Sequence, residues 1–358
     1  MIVISFTRVF QEEDMSITRR GRIVIRRLLS GESSVPQAFT IGLADPQKEI
    51  TVWLHGMGEL IDVTNRHSMA CADPFRVCIA FDEDRIPSSE ECNKLLLKFC
   101  EREGDRRTLG QINLAGKNAT TILVSGGCLI LFRARHSANF CLPKRRIWVH
   151  YFRQMYSLWR KFDSAGVKMS FLERRAVMVV FIRPHPVVWV SLENEFGGNI
   201  FPMNIMGDLG NGCFAFALKN SRLAARLVER SNRVALSSVP LDQTPQAYRL
   251  GVNHGKISVD WDQVPFATKL SNKFGLRVPG FAQRVRELEV QKIYNMGSHT
   301  FFVAQIVHDE RTAVADGLSI VHGFYQAWRL RGKPETLRSS LLEDLFNKRG
   351  TPHSSLPL

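Results

Sequence analysis

Two pairs of short runs decide the fold reading. Val188-Trp189 and Cys213-Phe214-Ala215-Phe216 stand in the second half of the chain, and Val52-Trp53 and Cys78-Ile79-Ala80-Phe81 in the first. The offsets between them are 136 and 135 residues. A third pair, Val149-His150-Tyr151-Phe152-Arg153-Gln154 and Val321-His322-Gly323-Phe324-Tyr325-Gln326, repeats at an offset of 172 and carries on through Leu158 with Leu330 and Lys161 with Lys333. Each match is short, but all three recur in the same order. That order predicts a tandem duplication whose first copy lacks about 37 residues between its second strand and its closing strands.

Outward from these runs the pattern is mostly period two. Glu49 to Leu54, Arg76 to Phe81, Thr120 to Val124 and Cys128 to Arg135 read as strands. So do Arg175 to Ser191 (broken by Pro184 and Pro186), Gly212 to Leu218, and His299 to His308. Ile147 to Lys161 is aromatic-rich and mixed in period. Ser221 to Arg230 has helical spacing, with Leu223, Leu227 and Val228 on one face. Pro279 to Val290 reads as a short helix running into a strand, and Leu318 to Leu330 closes the pattern. The fold class that follows is mainly β with short helices. It consists of two tandem split β-barrels, the first trimmed and degenerate. Residues 1–45 read as a weakly ordered leader, 46–165 as the first copy, 166–333 as the second, and 334–358 as a helix (Glu335 to Phe346) and tail.

Composition narrows the function. The chain has 358 residues, 48 Lys plus Arg and 34 Asp plus Glu, a net charge of +14. That excess favours anionic partners without choosing among nucleic acid, membrane surface and phosphorylated small molecules. No apolar run reaches the roughly 20 residues of a membrane span. The seven cysteines are odd in number and show no Cys-x-x-Cys spacing, which predicts reduced thiols, no metal site and a cytoplasmic location. No Gly-x-Gly-x-x-Gly follows a strand, and Asp208-Leu209-Gly210-Asn211-Gly212 reads as a hairpin turn, not a phosphate loop.

The chemistry concentrates between about 178 and 329. In order come Pro186-Val187-Val188-Trp189-Val190-Ser191, Gly198-Asn199-Ile200-Phe201-Pro202-Met203-Asn204, Phe214-Ala215-Phe216-Ala217-Leu218-Lys219-Asn220-Ser221-Arg222, Arg233-Val234-Ala235-Leu236-Ser237-Ser238-Val239, and Gly297-Ser298-His299-Thr300-Phe301. This series resembles the flavin reductase-like family of FMN-binding split barrels, over about two fifths of the chain. The resemblance implies FMN as cofactor, NADH or NADPH as co-substrate and an NAD(P)H:FMN oxidoreductase activity. It also implies flavin and nicotinamide nucleotide as partners, a partner oxygenase, and pairing as a homodimer or as an intrachain pseudo-dimer. Lys219, Ser221 and Arg222 sit where a strand meets a helix N-terminus, a setting suited to a phosphate. Asn199, Met203, Asn204 and Met206 are the candidates for the flavin ring and its polar edge. Ser298 and His299 stand in the family's turn, where His299 is the candidate catalytic residue and Ser298 replaces the commoner Asp.

The first copy departs from the pattern. It carries Ser125-Gly126-Gly127 where the second has Gly297-Ser298-His299, and the His67-Ser68-Met69 region where Asn204 would fall. One competent flavin site, mostly from the second copy, is therefore expected, with His150, Arg153 or Trp159 of the first copy closing it. From Phe132 to Lys161 there is no acidic residue, and Arg133, Arg135, Lys144, Arg145, Arg146, Arg153, Arg160 and Lys161 interleave with aromatics. That pattern fits a solvated basic strand face, a site for nucleotide phosphates, or, least favoured, a nucleic-acid surface. A flavin-binding protein without catalysis is the other reading.

Overall fold

The computed structural model describes residues 38–43, 49–102, 106–159 and 169–331. The first strand, β1 (Ala38–Leu43), falls within the stretch read as a leader, so ordered chain begins earlier than the composition suggests. Seven strands follow: β2 (Ile50–Met57), β3 (Glu59–Asp62), β4 (His67–Ala72), β5 (Phe75–Asp82), β6 (Leu96–Glu101), β7 (Thr108–Val124) and β8 (Gly127–Asn139). They form one antiparallel sheet in the order β3-β2-β6-β7-β8-β5-β4. Two helices come next, α1 (Lys144–Trp159) and α2 (Phe171–Val180), then the short β9 (His185–Pro186).

The second sheet is built from β10 (Val188–Asn194), β11 (Gly197–Met203), β12 (Met206–Gly210), β13 (Cys213–Lys219), β14 (Arg233–Ser238), β17 (Arg284–Asn295) and β18 (His299–Arg311). Helix α3 (Leu223–Ser231) joins β13 to β14, and the hairpin β15 (Thr268–Leu270) with β16 (Arg277–Pro279) lies in the excursion before β17. The order is β11-β10-β14-β17-β18-β13-β12, which matches the first sheet strand for strand. The register matches as well. Across the first sheet Val52 pairs with Phe99, Phe99 with Gly110, and Gly110 with Asn139. Across the second, Val188 pairs with Ser238, Ser238 with Arg284, and Arg284 with Arg311. The expected extra residues of the second half fall between β14 and β17, in 239–283, against 102–107 between β6 and β7. Last, β19 (Gly317–His322) pairs with both β1 and β9 and leads into α4 (Gly323–Arg329).

Two expectations are corrected. The apolar run from Arg175 is a helix at its start, not a strand. Ser170 and Glu173 form a capping box: the Ser170 hydroxyl accepts the Glu173 N–H at 3.3 Å, and the Glu173 carboxylate accepts the Ser170 N–H at 2.8 Å. Burial of Ala176 through Val180 on all sides removes the polar interruptions that would reveal a helical period. Ile147 to Trp159, mixed in period in the sequence, lies in helix α1, and the residues from Pro279 to the start of β17 form no helix. The helix expected at 335–346 lies outside the described residues.

The two sheets share a core. In β13 and β18 the side chains alternate: Phe214, Phe216, Leu218 and Phe302 fill the inside of the second barrel, while Ala215, Ala217, Phe301 and Val303 pack with Met69, Cys78 and Leu131 of the first sheet. Both faces of these strands are buried, which explains their continuous apolar sequence. The approach is close where β12 crosses β4. A Cβ on Gly207 would lie 2.6 Å from the His67 carbonyl oxygen and 2.9 Å from the Ser68 Cβ, so only glycine fits there. Among the described residues no helix is long and apolar enough to cross a membrane.

Gly207→Ala should therefore lower unfolding stability by about 1–3 kcal/mol through overpacking of backbone against backbone. Gly251→Ala, with open space around it, should cost far less. Urea denaturation of the two variants checks this; equal midpoints would contradict it.

Candidate functional site

Lys219 ends β13 and His299 begins β18, and the two are directly paired across the strands. Asn220 holds this corner together. Its side-chain N–H groups donate to Asn295 Oδ1 (2.9 Å) and the Gly297 carbonyl (2.6 Å), and its Oδ1 accepts the Thr300 hydroxyl at 2.8 Å. The Asn220 backbone N–H reaches the Ser298 carbonyl at 3.1 Å. The Lys219–Arg222 loop and the Gly297–His299 turn are thereby locked to one another.

The first sheet supplies the other wall. The Ser298 N–H donates to the Asp73 carbonyl at 2.7 Å, and the Asp73 N–H donates to Ser298 Oγ at 3.1 Å. Cys71 Sγ lies 3.4 Å from Ser298 Oγ and 3.9 Å from His299 Nδ1. Gly297, at φ +113°, leaves room for this contact: a Cβ there would stand 2.5 Å from the Asp73 carbonyl oxygen.

His299 is fully buried. Ser298 Oγ contacts its Nδ1 at 2.8 Å, while Nε2 has no hydrogen-bond partner. Ser298 Oγ also accepts the Asp73 N–H; when its own proton goes to Nδ1, the ring proton sits on Nε2. Burial, with Lys219 adding to it, lowers the imidazole to about 2, so the ring is neutral near pH 7. It is a hydrogen-bond donor rather than a proton shuttle. Ser298 orients the ring here.

Ser221 and Arg222 are exposed just beyond Lys219. Arg222 is the N-cap of α3, and no side chain caps that helix, so its first N–H groups face outward with the favourable end of the dipole. Asn204 is buried and its Oδ1 has no hydrogen-bond partner. Met203 and Met206 lie in the interior of the second barrel. Asn199 is differently engaged. Its amide donates to the carbonyls of Asn253 (3.1 Å) and Lys256 (2.8 Å), and its Oδ1 accepts the Ile200 N–H at 2.7 Å. It pins the excursion to β11, with its amide already committed to the chain itself.

The structure thus brings Lys219, Ser221, Arg222, Ser298 and His299 to one corner and leaves Asn199 out. Asn220, Cys71 and Asp73 were missed. Asn220 stood in plain view inside Lys219-Asn220-Ser221-Arg222, whereas Cys71 and Asp73 carry no local signal. His150 does not face this corner: its ring lies 4.6 Å from Phe324 and 6.2 Å from His322. The side chains of Arg153 and Trp159 lie outside the described residues. In the first sheet the pair at the matching strand ends is Asp82 with Gly127. A carboxylate ion-paired to Arg66 stands there in place of a cation, and glycine in place of the imidazole.

No family model matches the sequence, and no curated protein matches it. Solved structures do match part of it. An FMN-binding protein from Thermus thermophilus with bound p-hydroxybenzaldehyde is 24% identical, covering 36% of this chain and 72% of its own, with a TM-score of 0.32. The Streptomyces globisporus NADH:FAD oxidoreductase SgcE6 is 16% identical over 42% and 89%, at 0.37. BorF, the flavin reductase component of a bacterial two-component tryptophan halogenase, is 15% identical over 42% and 94%, at 0.36. Over about two fifths of its length this chain is similar to flavin reductases and FMN-binding proteins.

Burial also lowers His67, His254 and His322 to about 3 and His185 to about 4. Each is depressed below its unfolded value, so the unfolded chain binds more protons below pH 6.5. Stability should be level above pH 7 and fall as pH drops from 6.5 toward 4, by about 1.4 kcal/mol per pH unit for each such histidine. Denaturation midpoints at pH 7.5, 6 and 5 check this; identical midpoints would contradict it.

Proposed function

We propose that the second half of this chain binds flavin mononucleotide at the Lys219–His299 corner and that NADH or NADPH reduces it. The observation that carries this reading is the buried His299 Nε2, which has no hydrogen-bond partner in the described structure, on the same strand ends as a cation and an uncapped helix N-terminus. An unpartnered buried donor costs about 1–3 kcal/mol, which a bound acceptor would recover. Asn204 Oδ1 offers the complementary acceptor. Residues of these types suit a flavin: carbonyl and N–H groups on the ring edge, and a dianionic phosphate at the far end.

Flavin, when bound, supplies the centre that accepts hydride from a nicotinamide. The chain supplies the rest. Lys219, Ser221 and the first turn of α3 hold the phosphate charge. His299, fixed through Ser298 by Asp73, donates from Nε2 and positions what lies against it. Its neutrality means that its contribution should not vary between pH 6 and 9.

The first sheet reads as a second copy of the same unit that takes the place of a partner subunit. Matching strand order, matching register and the shared core support this. With Asp82 and Gly127 at its own corner it has nothing to attract a phosphate, so one site per chain follows.

Purified full-length protein titrated with FMN tests the proposal. Saturable binding with a flavin visible spectrum is expected. Lys219→Ala should weaken FMN about tenfold or more, the loss of a charge-assisted contact. His299→Ala should lower NAD(P)H turnover more than FMN affinity. Absence of FMN binding would overturn the proposal. Binding without NAD(P)H oxidation would leave a flavin-binding protein and remove the reductase.

A further inference from the structure

A cavity of about 470 Å³ opens at the other end of the second sheet, where Phe214, Ser238, Arg284 and Arg311 lie and not Lys219 and His299. Its floor is apolar, formed by Val188, Met206, Phe214 and Leu236 from the barrel interior. Its rim carries four arginines: Arg66 from the first half, and Arg284, Arg286 and Arg311 from the second. The Arg286 guanidinium lies over the Phe214 ring, 5.4 Å from its centre. We propose that this cavity binds a small organic anion, a phosphate or carboxylate group on an aromatic or apolar body. The proposal is independent of the flavin reading.

Charge and hydrogen bonding both point to a ligand. Three carboxylates face the arginines. Asp82 pairs with Arg66, Asp309 is shared by Arg284 and Arg286, and Asp208 lines the wall. Arg311 has no carboxylate partner among the described residues, which leaves one positive charge over at the rim. Ser319 lines the same space, is fully buried, and its Oγ has no hydrogen-bond partner. A buried hydroxyl is rarely left unpaired, and an anionic oxygen in the cavity would satisfy it. An apolar pocket of this volume with a few converging polar groups is typical of small-molecule sites.

The first half shows that the arginines are not a requirement of the fold. Its matching row is Phe99, Gly110 and Asn139, in place of Ser238, Arg284 and Arg311. Helix α2 and the residues after it pack there: a Cβ on Gly110 would lie 2.5 Å from the Ile182 Cδ1 and 2.9 Å from a Val179 methyl. One half fills this end with apolar side chains, and the other leaves it open and cationic.

Calorimetric titration of the full-length protein with phenyl phosphate, beside inorganic phosphate, tests the proposal. Saturable binding of phenyl phosphate is expected, with inorganic phosphate at least tenfold weaker for want of an apolar body. Arg311→Ala, an exposed residue whose loss breaks no ion pair of the described structure, should weaken phenyl phosphate about tenfold. Ser319→Ala should weaken it too while leaving the thermal midpoint unchanged or raised, since it removes an unsatisfied hydroxyl. Lys219→Ala should leave it unchanged. Three results would overturn the proposal: no saturable binding of phenyl phosphate at millimolar concentration, equal binding by Arg311→Ala, or loss of binding in Lys219→Ala, which would place the anion at the other end.

Discussion

The close packing of one sheet against the other is the constraint on which the rest depends. Small residues on the facing strands, Gly207, Ala215 and Ala217, let β12 and β13 approach β4 until backbone meets backbone. At that distance the Ser298 N–H donates to the Asp73 carbonyl and the Asp73 N–H donates to the Ser298 hydroxyl across the boundary. Those bonds place the hydroxyl that orients His299. The imidazole's tautomer, its burial and its unpaired Nε2 follow from how the two halves meet, because a second half standing alone would expose this corner to water.

Two halves with the same strand order differ at both ends. At one end the matching strand pairs are Lys219 with His299 and Asp82 with Gly127, a cation and a donor against a carboxylate and nothing. At the other, Ser238, Arg284 and Arg311 oppose Phe99, Gly110 and Asn139. The first half uses its corresponding surfaces for packing and for an ion pair within itself, Asp82 with Arg66.

The frame was legible in the residues because strand periodicity is local. Cys213 to Leu218 and His299 to His308 announce buried strands. Helix α2 was misread since burial on every side erased its period, although the Ser170–Glu173 box was there to be seen. Lys219, Ser298 and His299, singled out by their order along the chain, stand together at one corner. Asn199 ties down the loop at Asn253 and Lys256, and in sequence such an asparagine looks the same as one that meets a ligand. The arginine-lined cavity was invisible for a related reason. Asp309 and Glu310 balance the charge along that stretch of chain, and the positive surplus emerges only when Arg66, more than 200 positions earlier, is folded against it.

The account's central claim is that a paired frame carries a single flavin corner. Equilibrium dialysis of the full-length chain against FMN, read as moles bound per mole of chain at saturation, tests it most directly. One flavin per chain is the predicted result. Two per chain would show that the Asp82–Gly127 corner is competent, and none would show that the His299 corner is not a flavin site.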